Sequence, residues 1–273
     1  MEINGKTILH GIMGNPVAHS LSPAMHNAAF SASGLNSVYV PFPASDVANA
    51  MAGFRALGLR GVSVTIPHKQ AVIEYLDEID PVAKKIGAVN TLVIENGTIK
   101  GLNTDWIGAN RALEEHISLT GKKVLLLGAG GSAKAIGFGL IEAGAEVSIV
   151  SRTPASGKEL AQLLECPWHS LDEITHLQGD ILVNATSVGM SPDDHCTLVP
   201  QQMLEGFSVT MDIVYSPLQT RLLKESQESG CAVINGLAML LYQGVAQFEL
   251  WTGRKAPVEV MREALLLGLK IKN

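Results

Sequence analysis

The sequence predicts an α/β protein built from two units, and two observations carry this prediction. Short apolar runs rich in Val and Ile alternate with helical patterns along most of the 273 residues. One of these runs, Val124–Leu127, leads directly into a glycine-rich turn that opens a helix. Strands that alternate with helices pair in parallel through βαβ connections, and a chain of this length is long enough for two domains.

The composition describes a globular protein with a large core. Hydrophobic residues make up 47% and charged residues 17%, which excludes a disordered chain. The net charge of −6 argues against nonspecific binding to nucleic acid. No apolar run reaches the roughly 18 residues of a membrane span, no signal peptide is evident, and three cysteines form no disulfide framework. We therefore expect a cytoplasmic protein that binds neither nucleic acid nor a membrane.

The first hundred residues predict alternating strands and helices that end in a hairpin. The strands are expected near 7–13, 37–42 and 61–66, and helical segments near 23–33, 46–57, 69–76 and 80–86. The first helix is expected to begin at Ser22-Pro23, with Ser22 as its N-cap and proline at the first helical position. Two apolar runs flank Asn96-Gly97, a strong hairpin signal, and this hairpin over 91–101 is expected at a sheet edge.

The second unit is expected to begin after Gly121-Lys122-Lys123. A helix should follow the glycine-rich turn as far as about Glu142, where Gly144 ends it. Strands are predicted at 124–127, 146–151, 180–185, 208–214 and 231–235, helices near 156–164, 200–204 and 218–229, and two long terminal helices at 237–252 and 257–270. The boundary between the units is placed within the helix that starts near Asp105.

Gly128-x-Gly130-x-x-Ala133 is the most informative local motif. It follows an apolar strand and opens a helix, the context in which this pattern indicates a dinucleotide site rather than a small-residue turn. Gly128 allows the tight turn, Gly130 lets the backbone approach a pyrophosphate, and Ala133 allows close packing of helix on strand. The free N–H groups at the helix start would bind the anion.

The end of the next strand selects between the two nicotinamide cofactors. A site for NAD has an acidic side chain there that binds the ribose 2′-hydroxyl, whereas this chain has Ser151-Arg152-Thr153. A guanidinium pairs with a 2′-phosphate and stacks on adenine. Arg152 therefore indicates NADP, with Ser151 and Thr153 as hydrogen-bond donors, and Lys158 is a candidate for additional positive charge.

Lys69 is the candidate reactive group of the first unit. Pro67 ends the strand before it, so Lys69 should stand at the carboxyl end of that strand, where open α/β sheets bind ligands. Asp105 supplies a carboxylate after the hairpin. A Lys–Asp pair in a cleft can exchange a proton with a substrate hydroxyl while a cofactor takes the hydride. The alternative interpretation of Lys69 is a solvated surface charge, which the sequence alone leaves open.

The first predicted helix offers a candidate site for an anionic group. Ser20 and Ser22 precede a helix start, where a carboxylate could dock; the alternative for Ser22 is a capping role alone. His19 and His26 lie seven residues apart, without an H-E-x-x-H pattern or paired Cys/His spacing. No metal site is therefore expected.

Several longer motifs resemble the shikimate dehydrogenase family. They include G-N-P-V-A-H-S-L-S-P-A-M-H-N at 14–27, V-T-I-P-H-K at 64–69, N-A-T-S-V-G-M at 184–190, D-I-V-Y-S-P-L-Q-T at 212–220 and G-L-A-M-L-L-Y-Q-G at 236–244. The resemblance implies reversible NADPH-dependent reduction of 3-dehydroshikimate to shikimate, a step of aromatic amino acid biosynthesis. It also implies a Rossmann-type NADP-binding domain over 105–239, inserted into a discontinuous substrate domain of residues 1–104 and 240–273. A homodimer is a candidate assembly.

The resemblance assigns roles to positions that match the family's motifs. Lys69 and Asp105 correspond to the catalytic pair and would also bind the substrate hydroxyls, and Ser20 and Ser22 would hold the substrate carboxylate. The remaining substrate-binding positions are Thr65, Asn90, Tyr215 and Gln243. The cofactor-binding positions are Gly128, Ala129, Gly130, Gly131, Ser132, Ala133, Ser151, Arg152, Thr153, Thr186, Ser187, Met190, Ile213, Gly236 and Met239. Plainer readings stay open, among them a turn-forming Asn90 and a solvent-facing Gln243.

Two departures from the family pattern bear on the cofactor. The family usually has Asn where this chain has Ser151, and a second basic residue often follows where this chain has Pro154-Ala-Ser-Gly157. The phosphate clamp is therefore expected to be weaker and the preference for NADP less sharp. The alternatives are a quinate/shikimate dehydrogenase that uses NAD, a nonenzymatic sensor of the same ligands, and a methylene-tetrahydrofolate dehydrogenase, which would not explain the two serines.

Overall fold

The chain divides into two compact units. The computed structural model describes residues 3–272, with side chains as far as Leu269. The first unit runs to Thr104 and resumes at Gln243, and the second unit spans Asp105–Tyr242. Each unit is built on its own six-stranded sheet. Among the described helices, none combines the length and the apolar character needed to cross a bilayer.

The sheet of the first unit combines parallel strands with an antiparallel hairpin. Its strands are β1 (Ile8–Gly14), β2 (Ser37–Pro43), β3 (Gly61–Val64), β4 (Glu78–Ile79), β5 (Thr91–Glu95) and β6 (Thr98–Leu102), in the spatial order β2-β1-β3-β5-β6-β4. Strands β1, β2 and β3 run parallel, β5 is antiparallel to β3, and β6 is antiparallel to β5. The carboxyl ends of β1, β3 and β6 therefore share one edge of the sheet with the amino end of β5.

Three helices connect the strands of the first unit. They are α1 (Ser22–Ala32), α2 (Val47–Ala56) and α3 (Pro81–Ile86). Asp46 caps α2 by accepting a hydrogen bond from the backbone N–H of Asn49 at 2.9 Å, which satisfies a donor that the helix start leaves unpaired. The core of the unit includes Met13, Met51, Phe54, Val62, Leu92 and Ile99.

The structure differs from three expectations for the first unit. Helix α1 begins at Ser22, and its N-cap is Leu21, which makes no capping hydrogen bond with its side chain. The side chain of Ser22 is buried, and Ser22 is the first helical residue and not the cap that was expected. The hairpin does not form the sheet edge, because β4 pairs with β6 outside it. A two-residue strand is too short to give a periodic signal in the sequence. The helical segment expected near 69–76 is a 3-10 helix over Ala71–Tyr75.

The sheet of the second unit is parallel throughout. Its strands are β7 (Lys123–Leu127), β8 (Glu146–Ser151), β9 (Trp168–Ser170), β10 (Ile181–Asn184), β11 (Val209–Asp212) and β12 (Ala232–Ile234), in the order β12-β11-β10-β7-β8-β9. From β7 the chain moves outward to β8 and β9, then returns to β10 on the other side. This reversal defines the doubly wound order, and ligands bind outside the carboxyl ends of the strands at the switch point.

The remaining helices lie in the second unit and at the end of the chain. They are α4 (Asp105–Glu114), α5 (Gly131–Glu142), α6 (Pro154–Leu164), α7 (Arg221–Glu228), α8 (Gly236–Thr252) and α9 (Val258–Lys272). The helix predicted near 200–204 is a 3-10 helix over Gln201–Gly206. Helix α8 begins in the second unit and ends in the first. Within the first unit, α9 packs along α1.

Two buried histidines lie among aromatic rings of the first unit. His26 is fully buried and stacks on Tyr39, with 4.5 Å between ring centroids, and Trp251 lies 5.2 Å away. His10 packs against the same Trp251 at 5.5 Å. Within the described residues, neither ring nitrogen of His26 has a hydrogen-bond partner. No group of three or more His, Cys, Asp or Glu side chains in that part of the chain is arranged to hold a metal ion.

Burial keeps both histidines neutral in the folded chain. It lowers the pKa of His26 from 6.5 to about 3, and the neighbouring His10 adds to the shift. Burial and, to a smaller extent, the charge of Arg60 lower the pKa of His10 to about 4. Between these values and pH 6.5 the unfolded chain binds protons that the folded chain does not. Folding stability should therefore fall as the pH falls through this window.

His26→Phe tests this dependence of stability on pH. Each buried histidine should contribute a slope of about 1.4 kcal/mol per pH unit to the free energy of unfolding between about pH 6.5 and 4. Phe keeps the ring packing but cannot be protonated, so the slope of the variant should be smaller by that amount. Urea unfolding at several pH values measures it, with the exposed His116→Phe as control. A slope in His26→Phe equal to that of the wild type would contradict the prediction.

Candidate active site

The candidate substrate residues of the first unit follow strand ends that meet at one edge of its sheet. Ser20 and Ser22 follow β1, Thr65 and Lys69 follow β3, and Asn90 directly precedes β5. Thr104 follows β6 and leads into Asp105. The strand directions bring these segments to the same edge, although up to 84 positions separate Ser20 from Thr104 in the sequence.

Backbone hydrogen bonds join the neighbouring segments of this edge. The N–H of Thr65 donates to the carbonyl of Met13 at 2.9 Å, and the N–H of Val89 donates to the carbonyl of Lys69 at 2.8 Å. The main chain at Lys69 is thus fixed by the segment that precedes β5. The Lys69 side chain is half-buried. Its pairing with Asp105, the first residue of the second unit, stays a prediction.

Asn90 binds the segment that leads into Asp105. Its side chain is buried. Its Oδ1 accepts hydrogen bonds from the backbone N–H of Thr104 at 2.7 Å and from the hydroxyl of Thr91 at 2.7 Å. Its Nδ2 donates to the Thr104 hydroxyl at 3.1 Å. The side chain of Asn90 therefore has a structural role, because it fixes the main chain directly before Asp105.

The other candidate substrate residues differ in exposure. Ser20 is half-buried, and its Oγ accepts a hydrogen bond from the N–H of Ser22 at 3.2 Å. Thr65 is also half-buried. Gln243 is only 8% exposed, so the solvent-facing alternative for it is wrong. In the second unit, Tyr215 is half-buried and burial raises its pKa.

The candidate cofactor residues of the second unit also follow strand ends at one edge. They lie at the carboxyl end of β8 or in the segments that follow β7, β8, β10, β11 and β12, and all five strands run parallel. The set comprises residues 128–133, Ser151, Arg152, Thr153, Thr186, Ser187, Met190, Ile213, Gly236 and Met239. Doubly wound sheets bind ligands along this edge, and the switch point between β7 and β10 lies near its middle.

The glycine-rich turn leaves backbone donors open to a ligand. Gly128 has φ +112°, a conformation that L side chains rarely adopt, and its N–H donates to Val150 at 2.8 Å. Gly130 is the N-cap of α5, and no side chain caps the helix. A Cβ added to Gly130 or Gly131 would meet nothing within 4 Å, so there is free space beside this turn. This uncapped helix start fits the pyrophosphate of a dinucleotide.

The end of β8 presents a cation beside a hydroxyl that is already engaged. Ser151 is buried; its hydroxyl donates to the carbonyl of Thr153 at 3.1 Å and accepts from Trp168 Nε1 at 3.0 Å. A hydroxyl has a single proton, so the donor expected at Ser151 is used within the chain. Arg152 and Thr153 are exposed, and among the described residues no carboxylate pairs with Arg152. The exposed guanidinium fits a 2′-phosphate.

Lys158 is held on the neighbouring ring. Its Nζ lies 4.9 Å from the centroid of the Trp168 ring, within the range of a cation–π interaction. Trp168 also packs so close to Gly157 that an added Cβ would lie 2.1 Å from its Nε1. Trp168 therefore contacts both the start of α6, through Gly157, and the end of β8, through Ser151. Lys158 lies over its ring. Neither Trp168 nor β9 was predicted, because a three-residue strand gives no periodic signal.

A buried carboxylate, Asp212, connects the loops after β10 and β11. It is fully buried and accepts hydrogen bonds from Asn184 Nδ2 at 3.0 Å, the Val214 N–H at 3.0 Å and the Thr220 hydroxyl at 2.8 Å. Asn184 in turn accepts from the Thr186 hydroxyl at 2.7 Å. Burial raises the pKa of Asp212 to about 6, and the three hydrogen bonds oppose the shift. Asp212 was not predicted as a site residue, although an isolated acid at the end of an apolar strand is a signal in the sequence.

Gly236 brings the start of α8 against the loop after β11. A Cβ at Gly236 would lie 2.1 Å from the carbonyl oxygen of Ile213, a backbone atom that cannot move away cheaply. Only glycine therefore fits at this position. Met239, one turn further along α8, is buried, whereas Met190 is 49% exposed.

The fold and the site together define a dinucleotide-binding α/β protein with a separate ligand-binding unit. Three family models match successive parts of the chain: "Shikimate dehydrogenase substrate binding domain" over residues 12–92, "Shikimate / quinate 5-dehydrogenase" over 109–194 and "Shikimate 5'-dehydrogenase C-terminal domain" over 236–266. A protein named shikimate dehydrogenase (NADP(+)) from Methanothermobacter thermautotrophicus is 47% identical over 276 residues, covering 96% of this chain and 97% of that protein. The chain belongs to the shikimate dehydrogenase family.

Solved structures resemble the chain over nearly its whole length. The crystal structure of a shikimate dehydrogenase in complex with NADP+ is 43% identical and covers 97% of this chain and 96% of its own, with a TM-score of 0.89. A shikimate 5-dehydrogenase from Listeria monocytogenes in complex with shikimate and NAD is 38% identical, with a TM-score of 0.92 and coverage of 97% and 98%. The two-unit α/β architecture is therefore that of the family.

Asp212→Asn tests the buried carboxylate of the second unit. Because the pKa of Asp212 is raised from 3.8 to about 6, folding favours its protonated form, and the stability it contributes falls as the pH rises through this window. The free energy of unfolding of the wild type minus that of the variant should decrease by about 1.4 kcal/mol per pH unit there. Urea unfolding measures this difference, with the exposed Asp193→Asn as control. A difference that stays constant with pH would show that Asp212 is not perturbed.

Proposed function

We propose that this protein is a shikimate dehydrogenase that reversibly reduces 3-dehydroshikimate to shikimate with NADPH, a step of aromatic amino acid biosynthesis in the cytoplasm. The carrying observation is that the matched motif residues gather at two sheet edges: polar substrate candidates on the first unit, and phosphate-binding candidates on the second. The relatives' names and the NADP+ complex of a 43% identical protein support the same activity. The domain boundaries at 104/105 and 239/240 and a homodimeric assembly belong to this proposal.

The first unit would bind and orient the substrate. Ser20 and Ser22 would hold its carboxylate, and Thr65, Asn90 and Gln243 would bind its hydroxyls, with Tyr215 contributing from the second unit. Ser20 and Thr65 are half-buried at the edge, where they are open to a ligand and still supported by the strand ends. Fixing the ring in this way supplies much of the rate, because it removes the entropy cost of alignment from the chemical step.

Lys69 and Asp105 would move the proton. Lys69 would deliver a proton to the carbonyl oxygen during reduction and withdraw it from the hydroxyl during oxidation. Asp105 would orient the ammonium group and contact the same hydroxyl. Which of the two is the formal acid depends on how the pair shares the proton.

The second unit would hold NADP along its carboxyl edge. The N–H groups at Gly130 and Gly131 would bind the pyrophosphate, and Arg152 and Thr153 the 2′-phosphate. Thr186, Ser187, Met190, Ile213, Gly236 and Met239 would line the path to the nicotinamide. When bound, the nicotinamide supplies or accepts the hydride. Arg152 without a neighbouring acid favours NADP over NAD in this arrangement.

Lys69→Ala tests the proton-transfer role. The kcat for shikimate oxidation should fall about 10²- to 10⁴-fold, while KM for shikimate changes far less, since proton transfer contributes to the transition state and not to the ground state. Steady-state rates with NADP measure both constants, and the exposed Lys84→Ala is the control. Turnover within a few-fold of the wild type would remove Lys69 from the reaction.

Arg152→Ala tests the choice of cofactor. Loss of a charge-assisted contact to the 2′-phosphate should raise KM for NADPH about 10- to 100-fold and leave KM for NADH almost unchanged. Parallel rates with the two reduced cofactors measure this split, and the exposed Arg60→Ala should alter neither value. Equal effects on NADPH and NADH would place Arg152 outside the phosphate site.

A further inference from the structure

A continuous chain of buried hydrogen bonds crosses the first unit and ends at the candidate substrate edge. The Tyr39 hydroxyl donates to Ser63 Oγ at 2.6 Å, and the Ser63 hydroxyl donates to Gln247 Oε1 at 2.7 Å. Gln247 Nε2 donates to Thr91 Oγ1 at 2.9 Å, and the Thr91 hydroxyl donates to Asn90 Oδ1 at 2.7 Å. Every side chain in this sequence is buried.

The hydrogen bonds of Gln247 determine which side of its amide carries the oxygen and which the nitrogen. Its Nε2 donates to the backbone carbonyl of Asn90 at 3.2 Å as well as to Thr91. A flipped amide would turn its oxygen toward the Asn90 carbonyl, which has no proton to donate. The donors face the Asn90–Thr91 segment for this reason, and the acceptor faces Ser63. In this orientation each hydrogen bond of the series is donated in the same direction, from Tyr39 toward Asn90.

Asn90, the last residue of this hydrogen-bonded series, binds Thr104, the residue directly before Asp105. Asn90 Oδ1, which receives the Thr91 hydroxyl, also accepts the backbone N–H of Thr104 at 2.7 Å. Gln247 is only 1% exposed and lies on α8, one helical turn after Gln243. The side chain therefore supports Asn90 and the Thr104 main chain from behind without reaching the ligand edge itself.

We propose that Gln247 is a positioning residue that sets the geometry of substrate binding by orienting Thr91 and, through it, Asn90 and the segment leading into Asp105. This inference rests on the proposed function. The whole hydrogen-bond chain lies in the first unit, whereas the candidate cofactor residues lie in the second. Loss of Gln247 should consequently affect the kinetics of shikimate and spare the binding of NADPH.

The experiment compares Gln247→Glu with Gln247→Met. Glu keeps the acceptor for Ser63 but, when ionised, turns a carboxylate toward the Asn90 carbonyl; Met keeps the length and removes all the hydrogen bonds. Both variants should raise KM for shikimate about tenfold or more and lower kcat, with the Kd for NADPH, measured by cofactor fluorescence, within twofold of the wild type. The exposed Gln162→Glu is the control for the added charge.

The pH profile of Gln247→Glu separates positioning from general damage to the fold. A protonated Glu can donate one hydrogen bond toward Asn90 and Thr91. The kcat/KM of the variant relative to the wild type should therefore rise as the pH is lowered from 8 toward 6. Gln247→Met has no such proton, and its ratio to the wild type should stay flat.

A second pair of variants keeps the inference testable if Gln247 variants do not fold. Thr91→Val removes the hydroxyl that Gln247 orients, and Thr91→Ser keeps it. Thr91→Val should reproduce the rise in shikimate KM, and Thr91→Ser should restore a value near that of the wild type. Wild-type protein without turnover would overturn the proposed function before any variant is compared. With an active wild type, unchanged shikimate kinetics in folded Gln247 or Thr91→Val variants would overturn this inference.

Discussion

The parallel direction of neighbouring strands is the constraint on which both candidate sites depend. Parallel strands place all their carboxyl ends at one edge, so residues that are far apart in the chain arrive side by side. In the second unit this gathers five loops at the edge where α5 begins. In the first unit the hairpin β5–β6 runs against and then with β3, which adds the start of β5 and the end of β6 to the same edge.

Buried polar networks then hold the loops at these edges. A buried hydrogen-bonding group is costly when it lacks a partner and rigid when it is satisfied. The Asn90 network fixes the segment before Asp105, and the Asp212 network fixes the loops that carry Thr186 and Ile213. In both units an amide of Asn bridges two loops. The two arrangements differ in charge, since the first network is neutral and the second is built around a carboxylate.

Local sequence patterns predicted the parallel strands and the Gly128 turn, because periodicity and glycine spacing are local signals. The same patterns missed the two-residue β4 and the three-residue β9, which are shorter than any period. The prediction of Ser22 as an N-cap was wrong because a Ser-Pro pair has the same sequence whether the serine is the N-cap or the first residue of the helix.

Long-range partners set the remaining limit. Gln247 bonds to Thr91, which lies 156 positions earlier, and Trp168 engages Ser151, which lies 17 positions earlier. Neither pair is close enough in sequence to appear in a local pattern. The sequence therefore indicated Ser151 as a hydrogen-bond donor to a ligand but could not show that its hydroxyl already donates to the carbonyl of Thr153. The second crossing between units falls inside α8, where a continuous helix carries no mark of a boundary.

The most direct test is the absorbance of reduced nicotinamide after purified protein is mixed with shikimate and oxidised cofactor. We expect the absorbance to rise steadily with NADP and more slowly with NAD at equal concentration. No increase with either cofactor, from protein that binds both shikimate and NADP in equilibrium titrations, would contradict it and leave a ligand-binding protein without catalysis.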